Sequence, residues 1–279
     1  MSWMLVSDST CEIHHIDDLA PDTQFATVPL KIRVGDREFV DNAALNVPQM
    51  MEVFANFNGP SSTACPSPEE WAEKFLMADQ SIALTITHTL SGSYNSACAA
   101  RDMVLEEHPE KKIFVLDSLS CGGEIAMILW HLNDLIKRGL SFEEVCRGGQ
   151  AYADECHLMF ALASFENLVR NGRISRVVGF VAGKLNMRIL GRASQDGRLE
   201  MFFKTRGETK VLARILEEMD QTGFHGQHPV MISHNNNEQG AHLLRHGILT
   251  RWPEAQVHVY PCGGLCAYYE QDQGIIIGY

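Results

Sequence analysis

The chain has 279 residues, 45% of them apolar and 21% charged, the composition of a folded protein with a sizeable core. With 35 acidic against 23 basic residues its formal charge is −12, which argues against a general role on nucleic acid or anionic membranes. Its longest apolar runs, such as residues 125–130, are far too short for a membrane span.

The N-terminus, MSWMLVSDST, starts directly as a strand over 4–7 and ends it in Asp8-Ser9-Thr10. No basic region or long apolar core precedes that strand, so no signal peptide is expected and the cytoplasm is the default compartment. A second strand is predicted over 28–34, turning at Gly35-Asp36 into 38–40 as a hairpin. Asn46 caps a helix that has Pro48 in its first turn and Met50, Met51 and Phe54 on one face. Residues 58–67 (NGPSSTACPS) read as a loop, closed by the capping box Ser67-Pro68-Glu69-Glu70. A buried strand over 82–87 then empties into Ser91-Gly92-Ser93, with a helix over 94–108 directly behind it. Strand 113–116 ends in Asp117-Ser118, and after Gly122-Gly123 a helix runs to Arg138 and stops at Gly139. Ser141-Phe142-Glu143-Glu144 is a second capping box. Repeated β-loop-α units of this kind predict a parallel, doubly wound sheet in a first domain, residues 1–156.

From residue 157 the pattern changes. Strands over 158–163 and 188–192, and a third over 199–205 after the Asp196-Gly197 turn, predict antiparallel pairing. Helix 210–222, strand 229–234, helix 237–250, strand 256–260 and strand 275–279 complete a second α/β domain, residues 157–279, with a cleft between the two. The eight cysteines are scattered among helices and loops, so reduced thiols are expected. Cys262 and Cys266 form the one close pair and have no matching pair at zinc-ribbon spacing, so no metal is expected.

A helix start beyond the carboxyl end of a buried strand offers unpaired N–H groups and partial positive charge to an anion. Ser91-Gly92-Ser93 is such a place, an ordinary serine cap being its other reading. Small hydroxyl residues recur at Asp8-Ser9-Thr10, Ser61-Ser62-Thr63 and Asp117-Ser118, ends that in a parallel sheet would face one crevice as a polar rim. Between Asn167 and Gln195 stand six basic residues (Arg170, Arg173, Arg176, Lys184, Arg188, Arg192) and no acidic one. That local reversal reads either as a solvated face or as a docking patch for a phosphate or an acidic partner. Asn171-Gly172-Arg173 has the form of a helix C-cap with Gly172 at positive φ, which would hold Arg173 in place.

A reaction engine is harder to find. The chain lacks a G-x-S-x-G elbow, a G-x-x-x-x-G-K-[ST] loop and a G-x-G-x-x-G after a strand, and no histidine is tied by spacing to a particular Ser or Cys. An acyl hydrolase or transferase with Ser91 or Cys65 as nucleophile is the alternative to a binding protein.

Several segments carry a resemblance that covers nearly the whole chain. They are Val6-Ser7-Asp8-Ser9-Thr10, Val28-Pro29-Leu30 with Asp41, Thr63-Ala64-Cys65-Pro66-Ser67-Pro68, the LSGSYNSA run Leu90–Ala97, Asp117-Ser118, and the run Phe165–Ile174 that contains Asn171-Gly172-Arg173. In this order they resemble the DegV family of bacterial fatty-acid-binding proteins, with Asp196-Gly197 and Arg206 falling where that family has a turn and a basic residue. The resemblance implies two α/β domains, the first with a Rossmann-like, mainly parallel sheet and the second with a mixed or antiparallel one, enclosing a long-chain fatty acid in the cleft. It implies that Thr63 and Ser91 hold the carboxylate by their hydroxyls, with Gly92 and Ser93 alongside. It implies no cofactor and no catalysis, and for some members a separate ATP-dependent fatty acid kinase as partner. Arg170, Arg173, Arg176 and Arg206 would suit docking of that kinase or stabilisation of an acyl phosphate.

Three departures from the family pattern stand out. Its TSQP is Thr63-Ala64-Cys65-Pro66 here, and its proline near the strand that follows the Asn171-Gly172-Arg173 motif is Ile189. Its C-terminal H-x-G-P-G corresponds to Glu270-Gln271-Asp272-Gln273-Gly274, so a glutamate replaces the histidine of the carboxylate network. Two carboxylates about 4 Å apart repel by about 4 kcal/mol at an effective dielectric near 20. Glu270 therefore predicts a protonated carboxyl, a different headgroup, or a side chain turned to solvent.

Overall fold

Strand β1 (Trp3–Asp8) is buried at every position, and so is β6 (Gln80–Thr85), the mark of strands covered on both faces. The computed structural model describes residues 1–174 and 186–279. These residues form two compact units: residues 1–121, 125–155 and 263–265, and residues 122–124, 156–262 and 266–279.

In the first unit, β2 (Thr23–Val28), β1, β6 and β7 (Lys112–Asp117) form a wholly parallel sheet in the order β2-β1-β6-β7. Side chains alternate across it with the period of two expected of a strand. Leu5, Ile82, Leu84 and Leu116 face one way, onto Ile125, Leu129 and Leu132 of α4 (Gly123–Lys137) and Val145 of α5 (Phe142–Glu155). Met4, Val6, Ala83 and Val115 face the other, onto Trp71 and Phe75 of α2 (Pro68–Phe75) and Ala97, Ala100 and Val104 of α3 (Ser93–Glu107). Helices on both faces make this the doubly wound sheet that the β-loop-α repeats predict.

Local chemistry ends the helices where the sequence says it should. Ser67 accepts from Glu70 N–H while the Glu70 carboxylate accepts from Ser67 N–H, and Ser141 and Glu144 repeat the exchange. Asn46 Oδ1 accepts from Gln49 N–H at the head of α1 (Val47–Ala55). Gly139 takes φ +74° just past α4, a conformation that costs a glycine little.

Two expectations need correction. The single strand predicted over 28–34 is two: β2 ends at Val28, and β3 (Lys31–Val34) belongs to a separate antiparallel sheet, order β4-β3-β5, with β4 (Arg37–Val40). Pro29 stands at the break and has no N–H for a ladder. The loop expected over 58–67 contains β5 (Ser61–Ala64), which pairs with β3 so that Thr63 lies opposite Ile32.

The second unit holds a mixed six-stranded sheet, order β10-β9-β8-β13-β11-β12. Its strands are β8 (Leu158–Leu162), β9 (Met187–Ala193), β10 (Leu199–Arg206), β11 (Val230–His234), β12 (Val257–Pro261) and β13 (Ile275–Gly278). All pairings are antiparallel except β11 with β12. Met159, Leu190, Ile232 and Ile277 pack on Val211, Ile215 and Met219 of α7 (Glu208–Gln221) and Leu244 and Ile248 of α8 (Glu238–Arg251). A side chain at Gly191 would meet the Phe160 ring within 2.2 Å, so only glycine fits there. The short helix α6 (Glu166–Arg170) ends at the predicted Asn171-Gly172 cap, while α9 (Gly264–Glu270) was not expected.

Candidate functional site

The first-unit candidates gather where β6 gives way to α3. Gly92 is the N-cap of α3 and has no side chain to cap it. Ser96 N–H is the first donor to bond back, to Gly92 O at 2.9 Å. The donors ahead of it face out of the helix start, where helix geometry gives them no partner within the helix. Ser91 Oγ accepts from Ser93 N–H at 3.2 Å, so the expected serine cap is present, set one residue before the cap position.

The segment after β5 lies against this turn. A side chain at Gly92 would come within 3.1 Å of Cys65 Sγ, and Ser96 Oγ donates to Pro66 O at 2.6 Å. Thr63 is the third residue of β5, two positions before Cys65. Thr63 and Ser91 are half-buried, within reach of solvent or a ligand.

Ser93 differs. It is fully buried, and its hydroxyl donates to Asp8 Oδ2 at 2.6 Å. The rim predicted from four hydroxyl-bearing ends is likewise reduced. Thr10 Oγ1 donates to Asp8 at 2.5 Å and Ser9 Oγ to Asp41 at 2.8 Å, and Ser118 Oγ donates to Ser120 O, all in buried settings. These hydroxyls are internal wiring, whereas Thr63 and Ser91 keep partial exposure.

Two buried carboxyls do that wiring, and sequence reasoning gave neither a role. Asp41 accepts from Ser9 Oγ, from Gly264 N–H at 2.7 Å and from Leu265 N–H at 3.1 Å, capping the head of α9. Burial pushes both Asp8 and Asp41 above their ordinary value, while the donors around each pull back. His88, exposed three residues before Ser91, has Nδ1 2.5 Å from Asp117 Oδ2, and Asp117 also accepts from the N–H groups of His88 and Leu119. The only sequence sign of these partners was an aspartate at two strand ends.

The remaining candidates belong to the second unit, except Arg176, which lies outside the described residues along with Lys184. Gly172 has φ +74° as predicted, and Arg173 donates to Asn171 O at 2.7 Å and stacks over Tyr269. Arg170 is exposed and pairs with Glu166 at 2.5 Å; Arg206 is exposed at the end of β10. Part of the basic stretch is neutralised, since Arg192 lies 3.5 Å from Glu200 and Arg188 4.0 Å from Glu208. Glu270 is only 1% exposed, which overturns the solvent-facing alternative. Its side chain folds over Gly274, where any Cβ would lie 2.6 Å from the Glu270 Cβ. Asn235 holds the same segment, donating from Nδ2 to Ala267 O and Gln271 O and from N–H to Gly274 O.

This geometry defines an α/β protein in which the half-buried Ser91 stands beside the start of α3. The family follows from comparison with known proteins: a model of the DegV family matches residues 2–272, and the chain belongs to that family. It is 42% identical to a DegV domain-containing protein of Streptococcus gordonii, over 100% of this chain and 99% of the relative. Among solved structures it is similar to the Streptococcus pneumoniae Fatty Acid Kinase (Fak) B3 protein loaded with linoleic acid, at 42% identity and TM-score 0.97, covering 100% and 99% of the two chains. A DegV family protein from Eubacterium eligens loaded with heptadecanoic acid matches at 38% identity and TM-score 0.94, covering 99% of each chain.

Proposed function

We propose that this chain is a lipid-binding protein without catalytic activity of its own, which buries a long-chain fatty acid and presents it to a separate fatty acid kinase. One observation carries the reading: a structure alike over the whole chain, at 42% identity, is loaded with linoleic acid. The hydroxyls of Thr63 and Ser91 and the backbone at Gly92 supply the donors for the carboxylate, with Ser93 behind them and Glu270 as the variant group of the seat. Residues 1–156 and 157–279 are the two α/β domains in this reading.

Energetics favour it. At about 0.8 kcal/mol per buried CH₂, a chain of roughly sixteen carbons contributes on the order of 12 kcal/mol before binding costs. The polar seat then serves mainly to orient the ligand. The S. pneumoniae relative is named for a fatty acid kinase, which supports a kinase as partner. Arg170, Arg173, Arg176 and Arg206 are the proposed docking residues, and no cofactor is required. The −12 charge and scattered cysteines fit the cytoplasm. Among the described residues no helix is long and apolar enough to cross a membrane.

Native mass spectrometry of the purified chain, followed by organic extraction, tests the proposal. A co-purified fatty acid of defined mass is expected. Failure to carry or take up any fatty acid overturns it. The hydrolase reading draws on His88 oriented by Asp117 near Ser91. Stoichiometric labelling of Ser91 by a fluorophosphonate, or of Cys65 by a thiol-directed acylating probe, would favour that reading, and none is expected.

A further inference from the structure

Asp8 is a buried group to which lipid binding assigns no task. It closes β1 with no exposed surface and takes four donors. Oδ1 accepts from Thr10 N–H at 3.2 Å and Thr10 Oγ1 at 2.5 Å; Oδ2 accepts from Ile86 N–H at 3.0 Å and Ser93 Oγ at 2.6 Å. The two oxygens have separate duties. Oδ1 braces its own turn, while Oδ2 reaches the first residue past β6 and the first residue of α3. The loop between those residues, 87–92, carries Ser91, and one oxygen pins both of its ends. A buried carboxylate loses heavily when a donor is withdrawn, so both ends are held by the same desolvation cost.

The same contacts decide which serine meets a ligand. A serine hydroxyl has one proton, and that of Ser93 goes to Asp8. Ser91 is half-buried, and its oxygen already accepts from Ser93 N–H, so its own proton is left to donate outward. We infer that Asp8 is a positioning residue for the headgroup seat: by holding Ile86 and Ser93 it aims Ser91 as the donor and withdraws Ser93 from that role. This rests on the fatty-acid reading above. It makes the aspartate at the end of β1 part of the ligand's specificity, although the ligand need never touch it.

The test measures equilibrium binding of palmitic acid and of hexadecanol to the full delipidated chain. The acyl length is the same, so the acid-to-alcohol affinity ratio isolates the headgroup. Ser91→Ala is expected to lower that ratio roughly tenfold or more, the scale of a hydrogen bond to a charged group. Asp8→Asn and Ser93→Ala are each expected to lower it by about threefold or more with hexadecanol affinity held within about twofold. On the Ser91→Ala background, Asp8→Asn should change the ratio no further, a non-additivity that general loosening of the fold would not produce. Should Asp8→Asn fail to fold, Ser93→Ala decides alone, since it leaves the carboxylate and its other donors in place. A parent-like ratio in both variants, with Ser91→Ala reducing it, overturns the role of Asp8 and leaves the lipid reading standing. An unchanged ratio in Ser91→Ala, or a parent chain that binds neither probe, overturns the seat itself and this inference with it.

Discussion

Replacing Asp41 with alanine should destabilise the first unit severely. The carboxylate accepts from Ser9 Oγ at 2.8 Å, Gly264 N–H at 2.7 Å and Leu265 N–H at 3.1 Å, and the residue is only 3% exposed. Alanine leaves those three donors buried without an acceptor. Each such loss costs about 1–3 kcal/mol, and relief from burying a charge offsets part of the sum, so a net loss of about 3–5 kcal/mol follows. Asp41→Asn keeps one acceptor oxygen and should lose about 1–3 kcal/mol. Urea unfolding followed by tryptophan fluorescence is a suitable assay, because Trp3, Trp71 and Trp130 all lie in this unit and only Trp252 lies in the other. An Asp41→Ala midpoint equivalent to within about 1 kcal/mol of the parent would refute the reasoning, since three buried donors cannot go unpaired so cheaply.

Three further outcomes are expected. Asp41 is held above its ordinary value of 3.8 by burial, so the native chain binds its proton to higher pH than the unfolded chain does. Its contribution to stability is therefore fully present below that value and declines as pH rises through the raised one, and the gap between parent and Asp41→Asn should narrow over that range in urea titrations at stepped pH. Gly92→Ala places a Cβ 3.1 Å from Cys65 Sγ, and should weaken fatty-acid binding more than Gly92→Ala combined with Cys65→Ala, measured by fluorescent fatty-acid displacement. Under the proposed reading, in which Glu270 takes the place of the family's histidine, Glu270→His should strengthen binding of palmitic acid, measured by equilibrium binding, since a carboxylate near a carboxylate headgroup repels it. Unchanged affinity in Glu270→His would remove Glu270 from the seat.

Much of the fold was legible because its signals are short-range. The capping boxes at Ser67 and Ser141, the Asn46 cap, the Gly35-Asp36 hairpin and the positive φ at Gly139 and Gly172 each depend on residues a few positions apart. The parallel sheet was legible from apolar runs such as Met4–Val6 and Ile82–Leu84, which only burial on both faces explains. Strand β5 was hidden, because a polar Ser-Ser-Thr-Ala edge becomes a strand only through pairing with β3. Helix α9 was hidden for a related reason: its head is capped by Asp41, 223 residues away.

The helix start at Ser91-Gly92-Ser93 shows where the two kinds of knowledge divide. Sequence alone determined that a buried strand would end there, that a glycine-bearing turn would open a helix, and that hydroxyls would stand beside its unpaired N–H groups. Strand burial, turn chemistry and helix geometry are local properties, and local properties are written in neighbouring residues. Which hydroxyls remain for a ligand was decided only in three dimensions. Ser9, Thr10 and Ser93 all read as rim residues, yet each gives its proton to a buried aspartate, and for Ser93 that acceptor lies 85 residues away. A hydroxyl has a single proton, so its availability depends on every acceptor that the folded chain brings within reach, and distance along the chain carries no record of that.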